Sequence, residues 1–142
     1  MNIHPVTANN FFSVIDLLQR NNLPTEDITA ATTLFALYDS NELIGTIGLE
    51  YDGENALLRS LSTSAHKRGI GGGKLLVDFV EKFAKENNIH SIYLLTTTAA
   101  DFFDKRNYLR ITKTDVPEFI KQTTEFASTC PASAIVMKKV LQ

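Results

Sequence analysis

The strongest chemical signal in this sequence is a cluster of glycines, because four of the five residues at positions 69–73 are glycine. Glycine leaves the backbone bare, so several N–H groups can converge on one guest, and the positive end of a following helix favours an anion. Arg68 and Lys74 flank the cluster with positive charge. The stretch therefore predicts a phosphate-binding turn between a strand and a helix. A glycine-rich turn without a ligand is the alternative.

Three phosphate-binding patterns can be compared with this stretch. A P-loop ends in Gly-Lys-Ser/Thr, but Leu75 follows Lys74 here, and Arg68 stands where the first glycine belongs. A dinucleotide fingerprint, Gly-x-Gly-x-x-Gly, fails because Lys74 or Leu76 occupies its last glycine position. Residues 68–73, Arg-Gly-Ile-Gly-Gly-Gly, match the third pattern, Arg/Gln-x-x-Gly-x-Gly/Ala, position by position. This hexapeptide resembles the acetyl-CoA pyrophosphate loop of the GNAT N-acetyltransferase superfamily.

The resemblance implies a way of holding acetyl-CoA, the expected cosubstrate, without a metal ion. In the family the pantetheine arm adds to the strand before the glycine loop, which would place Leu61, Ser62 and Thr63 along the arm. A backbone N–H near Leu61 would polarise the thioester carbonyl. The backbone N–H groups expected to bind the pyrophosphate are those of Arg68, Gly69, Ile70, Gly71, Gly73 and Lys74.

Acetyl transfer to an amine also needs a base, and two residues on the strands before the loop are candidates for the catalytic machinery. Glu50 could attract a cationic amine and relay its proton through water. Arg59, on the next strand, could bind an anionic group of the substrate with its planar fork. A solvated strand-end glutamate and a strand-surface ion-pair partner are the respective alternatives.

The proton donor departs from the family pattern. Many GNAT enzymes carry a tyrosine in a string like Phe-Tyr-x-x-x-Gly-Phe, but residues 102–108 read Phe-Phe-Asp-Lys-Arg-Asn-Tyr. Phe103 stands at the tyrosine position and has no proton to give, so another group acts, water protonates the thiolate, or catalysis is weak. Tyr108 falls where the family usually has phenylalanine and is expected to pack. Phe102 and Phe103 could pack beside the CoA arm, and residues 96–98, three threonines, could donate hydroxyls to substrate or CoA or simply favour a strand.

Three further strings resemble the GNAT branch found with arsenic-resistance genes. They are Leu-Leu-Arg-Ser-Leu at 57–61, Leu-Leu-Thr-Thr-Thr-Ala at 94–99 and Glu-Phe-Ala-Ser-Thr-Cys-Pro-Ala-Ser-Ala at 125–134. This likeness implies a small amine or amino-acid-like substrate, such as a toxic arsenical. Cys130 alone cannot chelate arsenic, so we expect it to be a packing residue. The histidines lack metal-ligand spacing and are expected at the surface: His4, His66 and His90.

The elements that position these residues follow from hydrophobic periodicity, which predicts the order β-α-α-β-β-β-α-β-α-β-α-β. Helices are predicted after Thr7, after the turn at 23–27, at 72–86, at about 99–105 and from 115 or 116 to about 125. Strands are predicted at 3–6, 33–38, 43–51, 56–63, 91–96, 108–112 and 134–141. This order predicts an α/β (α+β) fold with a GNAT-like mixed, mostly antiparallel seven-stranded sheet and helices on both faces.

Composition narrows the class of protein. The 142 residues fit a single domain over 1–142, with 44% hydrophobic and 21% charged residues as in a soluble globular protein. No apolar run approaches the ~18–20 residues of a membrane span, and the N-terminus lacks a signal-peptide pattern. A single cysteine favours a cytoplasmic location. A net charge of −2 with dispersed basic residues argues against a nucleic-acid partner.

The predicted function is direct transfer of the acetyl group of acetyl-CoA to the amine of a small molecule. The main alternative is a non-catalytic acetyl-CoA or acyl-CoA sensor with the same fold, which the phenylalanine at position 103 keeps open. A third alternative is an interaction protein whose loop binds another phosphate ligand. A homodimer is compatible with the sequence, but no residue demands it.

Overall fold

The computed structural model describes residues 1–123, 126 and 132–142. In this part of the chain the sheet has seven strands in the order β1-β2-β3-β4-β5-β7-β6. The strands are β1 (Asn2–Pro5), β2 (Thr33–Asp39), β3 (Glu42–Asp52), β4 (Asn55–Thr63), β5 (Ser91–Thr96), β6 (Leu109–Ile111) and β7 (Ile135–Val140). The helices there are α1 (Phe11–Arg20), α2 (Gly72–Glu86), α3 (Ala100–Asp104) and α4 (Glu118–Lys121).

Strand pairing confirms the predicted mixed, mostly antiparallel sheet. The pairs β1–β2, β2–β3, β5–β7 and β6–β7 are antiparallel, whereas β4 runs parallel to β5. The parallel register joins Asn55 to Ser91 and Leu57 to Tyr93. A parallel pair requires a crossover between its strands, and α2 lies in that connection.

The chain forms two compact units. The first contains Met1–Glu50 and Arg59–Phe83, and the second contains Tyr51–Leu58 and Ala84–Gln142. In the first, Val14 and Leu18 of α1 are buried together with Leu34 and Ala36 of β2. Each fully buried valine or leucine side chain stabilises the fold by roughly 1.5–3 kcal/mol.

An aromatic cluster fixes α2 within the first unit. The ring of Phe35 on β2 meets Phe79 and Phe83 edge to face, at centroid distances of 4.9 and 5.2 Å. Such edge-to-face pairs place the positive edge of one ring on the negative face of another. The helix that follows the glycine cluster is therefore anchored to the sheet by its own apolar face.

The second unit has its own core around β5. Leu57, Tyr93, Val136, Val116 and Ile120 form one buried cluster. These side chains come from β4, β5, β7 and the segment that contains α4. Among the described residues, no helix is both long and apolar enough to cross a membrane.

The predicted short helix after the turn at 23–27 is wrong. Residues 24–32 form isolated turns, closed by hydrogen bonds from the Ile28 N–H to the Thr25 carbonyl and from the Thr32 N–H to the Thr29 carbonyl. Threonine hydroxyls take backbone donors here, because Thr29 Oγ1 accepts from the Ala31 N–H at 3.1 Å. Such local bonds compete with helical hydrogen bonds, which explains the difference.

The predicted helix from 115 or 116 to about 125 is also corrected. A 3-10 turn at Lys113–Asp115 precedes α4, and Val116 between them is extended, with φ −89° and ψ 151°. Pro117 explains this break, because the residue before a proline is pushed out of the helical region. Residue 125, the predicted end, lies outside the described residues.

Candidate functional site

The glycine cluster forms an exposed turn whose shape requires glycine. Gly69 and Gly71 have φ of +90° and +89°, a backbone conformation that side-chain-bearing residues rarely adopt. A Cβ added to either residue would meet no atom within 4 Å. It is therefore the backbone angle and not crowding that demands glycine, and the space beside both residues is open to a guest.

The turn leads directly into the N-terminus of α2. The Leu75 N–H donates to the Gly71 carbonyl at 3.1 Å, so helical hydrogen bonding begins there. By helix geometry the N–H groups of Gly72, Gly73 and Lys74 have no carbonyl partner within α2. These donors and the positive end of a helix of 15 residues favour an anion.

Gly72 differs from the other glycines of the cluster. It is buried, and a Cβ there would lie 3.1 Å from Leu37 Cδ2 and 3.6 Å from Thr63 Cγ2. Its small size lets the start of α2 approach the sheet closely. The six residues predicted for the pyrophosphate do not include Gly72, and they are exposed or half-buried: Arg68, Gly69, Ile70, Gly71, Gly73 and Lys74.

The residues predicted to hold the pantetheine arm occupy the last part of β4. The register of β4 with β5 ends at Leu57, and Leu61, Ser62 and Thr63 follow it along the strand. Between them, Ser60 has φ +58°, which interrupts the regular extended backbone. Ser62 is buried, with 7% exposure. The roles of these three residues stay predictions.

Asn21 is a member of this site that the sequence did not reveal. Its Nδ2 donates to Ser62 Oγ and, at 3.1 Å, to the Thr63 carbonyl. Its Oδ1 accepts from Arg68 Nη2 at 3.0 Å. From sequence the asparagine reads only as a helix stop, and no local pattern indicates contacts with residues 41 and 47 positions away.

Glu50 and Arg59 are brought together by the fold, with Asp27 as a third member. Arg59 Nη1 lies 2.6 Å from Glu50 Oε2 and 2.6 Å from Asp27 Oδ2, and its Nη2 lies 2.8 Å from Asp27 Oδ1. The side chains of Arg59, Asp27 and Glu50 are 2%, 7% and 18% exposed. Glu50 is thus neither a solvated strand-end residue nor separate from Arg59, and Arg59 is a buried ion-pair partner.

The electrostatics of this triad, meaning Asp27, Glu50 and Arg59, leave a negative excess. The hydrogen bond from Arg59 is the main cause that lowers the pKa of Asp27 from its ordinary value of 3.8, against the opposing effect of burial. Asp27 is therefore ionised near neutral pH. Two carboxylates share one guanidinium, so the triad with Glu50 ionised carries a net charge of about −1.

Phe103 is buried in the second unit and cannot donate a proton. It is 3% exposed, with its ring 5.1 Å from Phe102 and 5.2 Å from Tyr108, both edge to face. Tyr108 is 1% exposed, in keeping with the packing role expected of it. Arg106 lies over the Phe102 ring at 3.8 Å. The aromatic residues of this segment are thus accounted for by packing.

Thr96 and the three histidines occupy positions that local structure or solvent exposure explains. Thr96 Oγ1 accepts from the backbone N–H groups of Thr98 and Ala99, at 3.3 and 2.8 Å, which shapes the turn before α3. The expected surface positions are confirmed for His4, His66 and His90. Within the described residues, no three His, Cys, Asp or Glu side chains cluster as metal ligands would. The prediction about Cys130 lies outside the described residues.

A comparison with models of known protein families identifies the family of this chain. Residues 8–110 match the model of the acetyltransferase (GNAT) family. The chain belongs to the GNAT acetyltransferase family. The matched segment contains the glycine turn, all of β4 and the triad of Asp27, Glu50 and Arg59.

Solved structures share this GNAT fold at low sequence identity. N-acetylglutamate synthase from Neisseria gonorrhoeae, complexed with coenzyme A and N-acetyl-glutamate, matches with a TM-score of 0.84 and 14% identity, over 99% of this chain and 35% of that chain. Rv2747 from Mycobacterium tuberculosis, in complex with CoA and NLQ, matches with a TM-score of 0.82 and 14% identity over 100% of both chains. An aminoglycoside 6'-N-acetyltransferase complexed with coenzyme A gives 0.72 and 20%, over 100% of this chain and 98% of that one.

The length of these relatives varies. This GNAT chain spans about a third of the Neisseria gonorrhoeae synthase, 35% and 33% in its two structures. It spans nearly the whole of the aminoglycoside enzyme. At these identities the likeness establishes the fold, and the CoA ligands belong to those proteins.

Proposed function

We propose that residues 1–142 form a single acetyl-CoA-binding domain that transfers the acetyl group directly to the amine of a small molecule. The observation that carries this proposal is the exposed turn in which Gly69 and Gly71 adopt positive φ immediately before α2. Its open space and its orphan N–H groups fit a diphosphate, which needs several donors converging on bare backbone. Membership of the GNAT family supports acyl transfer as the reaction class.

In this proposal the end of β4 and the glycine turn bind different parts of acetyl-CoA. Leu61, Ser62 and Thr63 hold the pantetheine arm through their backbone, and the N–H groups of residues 68–71, 73 and 74 hold the pyrophosphate. A backbone N–H near Leu61 donates to the thioester oxygen, where negative charge develops as the amine attacks. Acetyl-CoA supplies the acetyl group as cosubstrate.

Glu50 is the proposed base, acting through water on the incoming ammonium group. Its side chain is the most exposed of the triad, at 18%, so it is the carboxylate that water and an amine can reach. We propose Arg59 as a residue that positions Glu50 through the 2.6 Å bond from its Nη1. The amine nitrogen bonds to the carbonyl carbon and the carbon–sulfur bond breaks. The proton that the nitrogen then loses passes through water to the departing thiolate, because Phe103 has no proton to give.

The first experiment is thermal unfolding with acetyl-CoA, free CoA and ATP, followed by calorimetric titration with acetyl-CoA. A ligand at ~100 times its dissociation constant stabilises the native state by roughly 2.7 kcal/mol. Stabilisation by acetyl-CoA and not by ATP supports the proposal. If acetyl-CoA does not stabilise the protein, the proposal is overturned, and there is no reason to assay thiol release with amines.

A sensor that binds acetyl-CoA without efficient transfer is the second candidate, favoured by the buried phenylalanine at the usual tyrosine position. Phe103 is 3% exposed and is packed by Phe102 and Tyr108. Thiol release above the hydrolysis rate with any amine supports the enzyme. Acetyl-CoA binding with no release from a broad amine panel supports the sensor.

The acceptor is a separate proposal. The likeness of residues 57–61, 94–99 and 125–134 to the arsenic-resistance branch supports an amine-bearing arsenical or another toxic small molecule as substrate. Thiol release should be compared between such an arsenical and the same amine without arsenic. Equal rates would remove arsenic from the proposal and leave the acetyltransferase intact.

A homodimer and a cytoplasmic location also stay proposals. Leu109 on β6, the last strand of the sheet order, is 71% exposed, and Val140 at the end of β7 is 59% exposed. Exposed apolar residues at a sheet edge are compatible with pairing to a second copy. Sedimentation equilibrium of the wild-type chain and of Leu109→Glu tests the dimer, and a monomer at all concentrations would exclude it.

A further inference from the structure

We propose that Asp27 sets the charge preference of the acceptor site. Because Asp27 holds the guanidinium of Arg59 through two hydrogen bonds, Glu50 has only a shared part of that positive charge. The triad keeps a negative excess, and the site then selects amines that carry no carboxylate beside the reacting nitrogen. This inference rests on the proposed function, since it takes the amine to approach Glu50. Asp27 is a positioning and specificity-determining residue in this scheme and does not touch the reacting atoms.

Each of the three guanidinium nitrogens of Arg59 already donates a hydrogen bond. Its Nε donates to Ser60 Oγ at 3.1 Å, and its two Nη atoms form the bidentate pair with Asp27 at 2.6 and 2.8 Å. Nη1 also serves Glu50. A substrate carboxylate would have to displace Asp27 from a pair that is almost fully buried. Arg59 is therefore unsuited to the anion-binding role that its sequence position suggested.

The negative excess of the triad is more accessible at Glu50 than at Asp27. Glu50 is 18% exposed and Asp27 is 7% exposed, so the carboxylate that meets an incoming molecule is Glu50. Among the described residues, no Lys or Arg besides Arg59 forms an ion pair with either carboxylate. A cationic amine is attracted to such a site, and a second carboxylate brought beside it is repelled in a partly desolvated setting.

The consequence can be tested on the wild-type protein with matched acceptors. Tyrosine, tyrosinamide and tyramine share one ring and one amine, and so do phenylalanine, its amide and phenylethylamine. Only the first member of each set carries a carboxylate. We expect the amide and the decarboxylated amine to exceed the amino acid at least about tenfold in kcat/KM, chiefly through KM, since like charges are juxtaposed only in the amino acid.

Binding provides a second readout that needs no turnover. Each acceptor is titrated by calorimetry into the protein saturated with free CoA, and the same order of affinity is expected. If no member of either set binds, the inference is overturned while stabilisation by acetyl-CoA still supports the proposed function. If acetyl-CoA does not stabilise the protein, the proposed function fails, and titration of the amines into the CoA-free protein still tests the charge preference.

Variants separate a role in specificity from a role in folding. Asp27→Asn brings the triad close to neutral and leaves Arg59 with a poorer partner, so the preference against carboxylates should fall at least about fivefold. Asp27→Glu should restore most of it. Asp16→Asn is the matched control, because Asp16 forms an exposed pair with Arg20 at 3.0 Å and its loss changes the net charge equally.

The outcomes are distinct. A folding role alone would lower stability and reduce kcat for all acceptors in the same proportion, leaving the ratio within each set unchanged. An unchanged ratio in Asp27→Asn overturns the proposal, and so does a wild-type preference for the amino acids. A reduced ratio in Asp27→Asn with an unchanged ratio in Asp16→Asn supports it.

Discussion

Asn21 Nδ2 lies 3.1 Å from the carbonyl oxygen of Thr63, and this hydrogen bond joins the C-terminal end of α1 to the last residue of β4. The same amide accepts a hydrogen bond from Arg68, the first residue of the glycine motif. One side chain thus holds the strand end and the turn together. In the proposed function these are the places where the pantetheine arm and the pyrophosphate bind, so Asn21 sets their relative position.

Asn21→Ala is expected to weaken both the fold and the binding of acetyl-CoA. It removes the bonds to Ser62, Thr63 and Arg68, and the loss should lower the free energy of unfolding by about 1–3 kcal/mol. The dissociation constant of acetyl-CoA should rise about tenfold, equivalent to ~1.4 kcal/mol. Urea unfolding and calorimetric titration measure the two effects separately.

The control for this variant is Gln19→Ala, two residues earlier, in the last turn of α1. Gln19 makes an exposed hydrogen bond with Thr25 at 3.4 Å and has no bond to β4 or the turn among the described residues. It should leave the affinity for acetyl-CoA unchanged. Equal binding by Asn21→Ala and the wild type would refute the positioning role of Asn21.

Gly71→Ala tests whether the turn binds through its backbone. Alanine at φ +89° should lower the free energy of unfolding by about 1–2 kcal/mol through backbone strain alone, since no atom lies within 4 Å of the added Cβ. The distorted N–H directions should also raise the dissociation constant of acetyl-CoA about tenfold or more, equivalent to ~1.4 kcal/mol. Calorimetry at one temperature gives the binding change.

Gly53→Ala provides the matched control. Gly53 lies in the turn between β3 and β4, has φ +60°, and likewise has nothing within 4 Å of an added Cβ. A similar loss of stability with unchanged acetyl-CoA affinity is expected. If Gly53→Ala weakened binding as much as Gly71→Ala, the effect would be general destabilisation and not loss of a phosphate site.

Local patterns predicted the elements that carry strong periodicity and clear ends. The bounds of α2 (Gly72–Glu86) and β5 (Ser91–Thr96) agree with the sequence prediction to the residue. For α2, glycines stand at its start, an apolar stripe runs along it and two asparagines follow it. The helix expected near residue 28 did not form, because threonine hydroxyls took its backbone donors, a competition that periodicity does not register.

The parts of the site that escaped prediction depend on contacts between distant residues. The pair of Asp27 with Arg59 spans 32 positions, and the bond of Asn21 to Ser62 spans 41. A loop aspartate and a helix-ending asparagine have ordinary local explanations, so neither attracts a functional interpretation by itself. Glu50 and Arg59 lie on adjacent strands, which the sequence indicated, whereas Asp27 joins the pair from a loop that is distant in sequence.

Asp27→Asn is also expected to change how stability depends on pH. The pKa of Asp27 is lowered in the folded protein, chiefly by its hydrogen bond with Arg59, while its value in the unfolded chain is near 3.8. A carboxyl group whose pKa is lowered on folding contributes stability above about pH 3.8. That stability is lost as the pH falls through the pKa of the group in the folded protein. The variant should be less stable near pH 7 by about 1–3 kcal/mol and should lose less stability on acidification than the wild type.

Urea unfolding at several values between about pH 7 and about pH 3 measures this linkage. The slope of the free energy of unfolding against pH reports the difference in bound protons between the folded and unfolded states. Asp16→Asn, which removes an exposed carboxylate, should retain the wild-type slope below about pH 4. Parallel curves for Asp27→Asn and the wild type would contradict the assignment of Asp27 as an acid-sensitive contact.

Phe103→Tyr restores the tyrosine that many family members carry, and it is expected not to restore a proton donor. The side chain is 3% exposed and is packed by Phe102 and Tyr108, so the added hydroxyl would be desolvated. The free energy of unfolding should fall by about 1–3 kcal/mol, the cost of burying a poorly bonded hydroxyl. Thiol release measured under saturating acetyl-CoA should change less than about twofold, equivalent to ~0.4 kcal/mol in the barrier.

Phe102→Tyr, at a half-buried neighbour, is the control and should cost less stability. A rise of about tenfold or more in Phe103→Tyr alone would mean that position 103 reaches the leaving sulfur, and that the wild-type chain works as an acetyltransferase impaired by a missing acid.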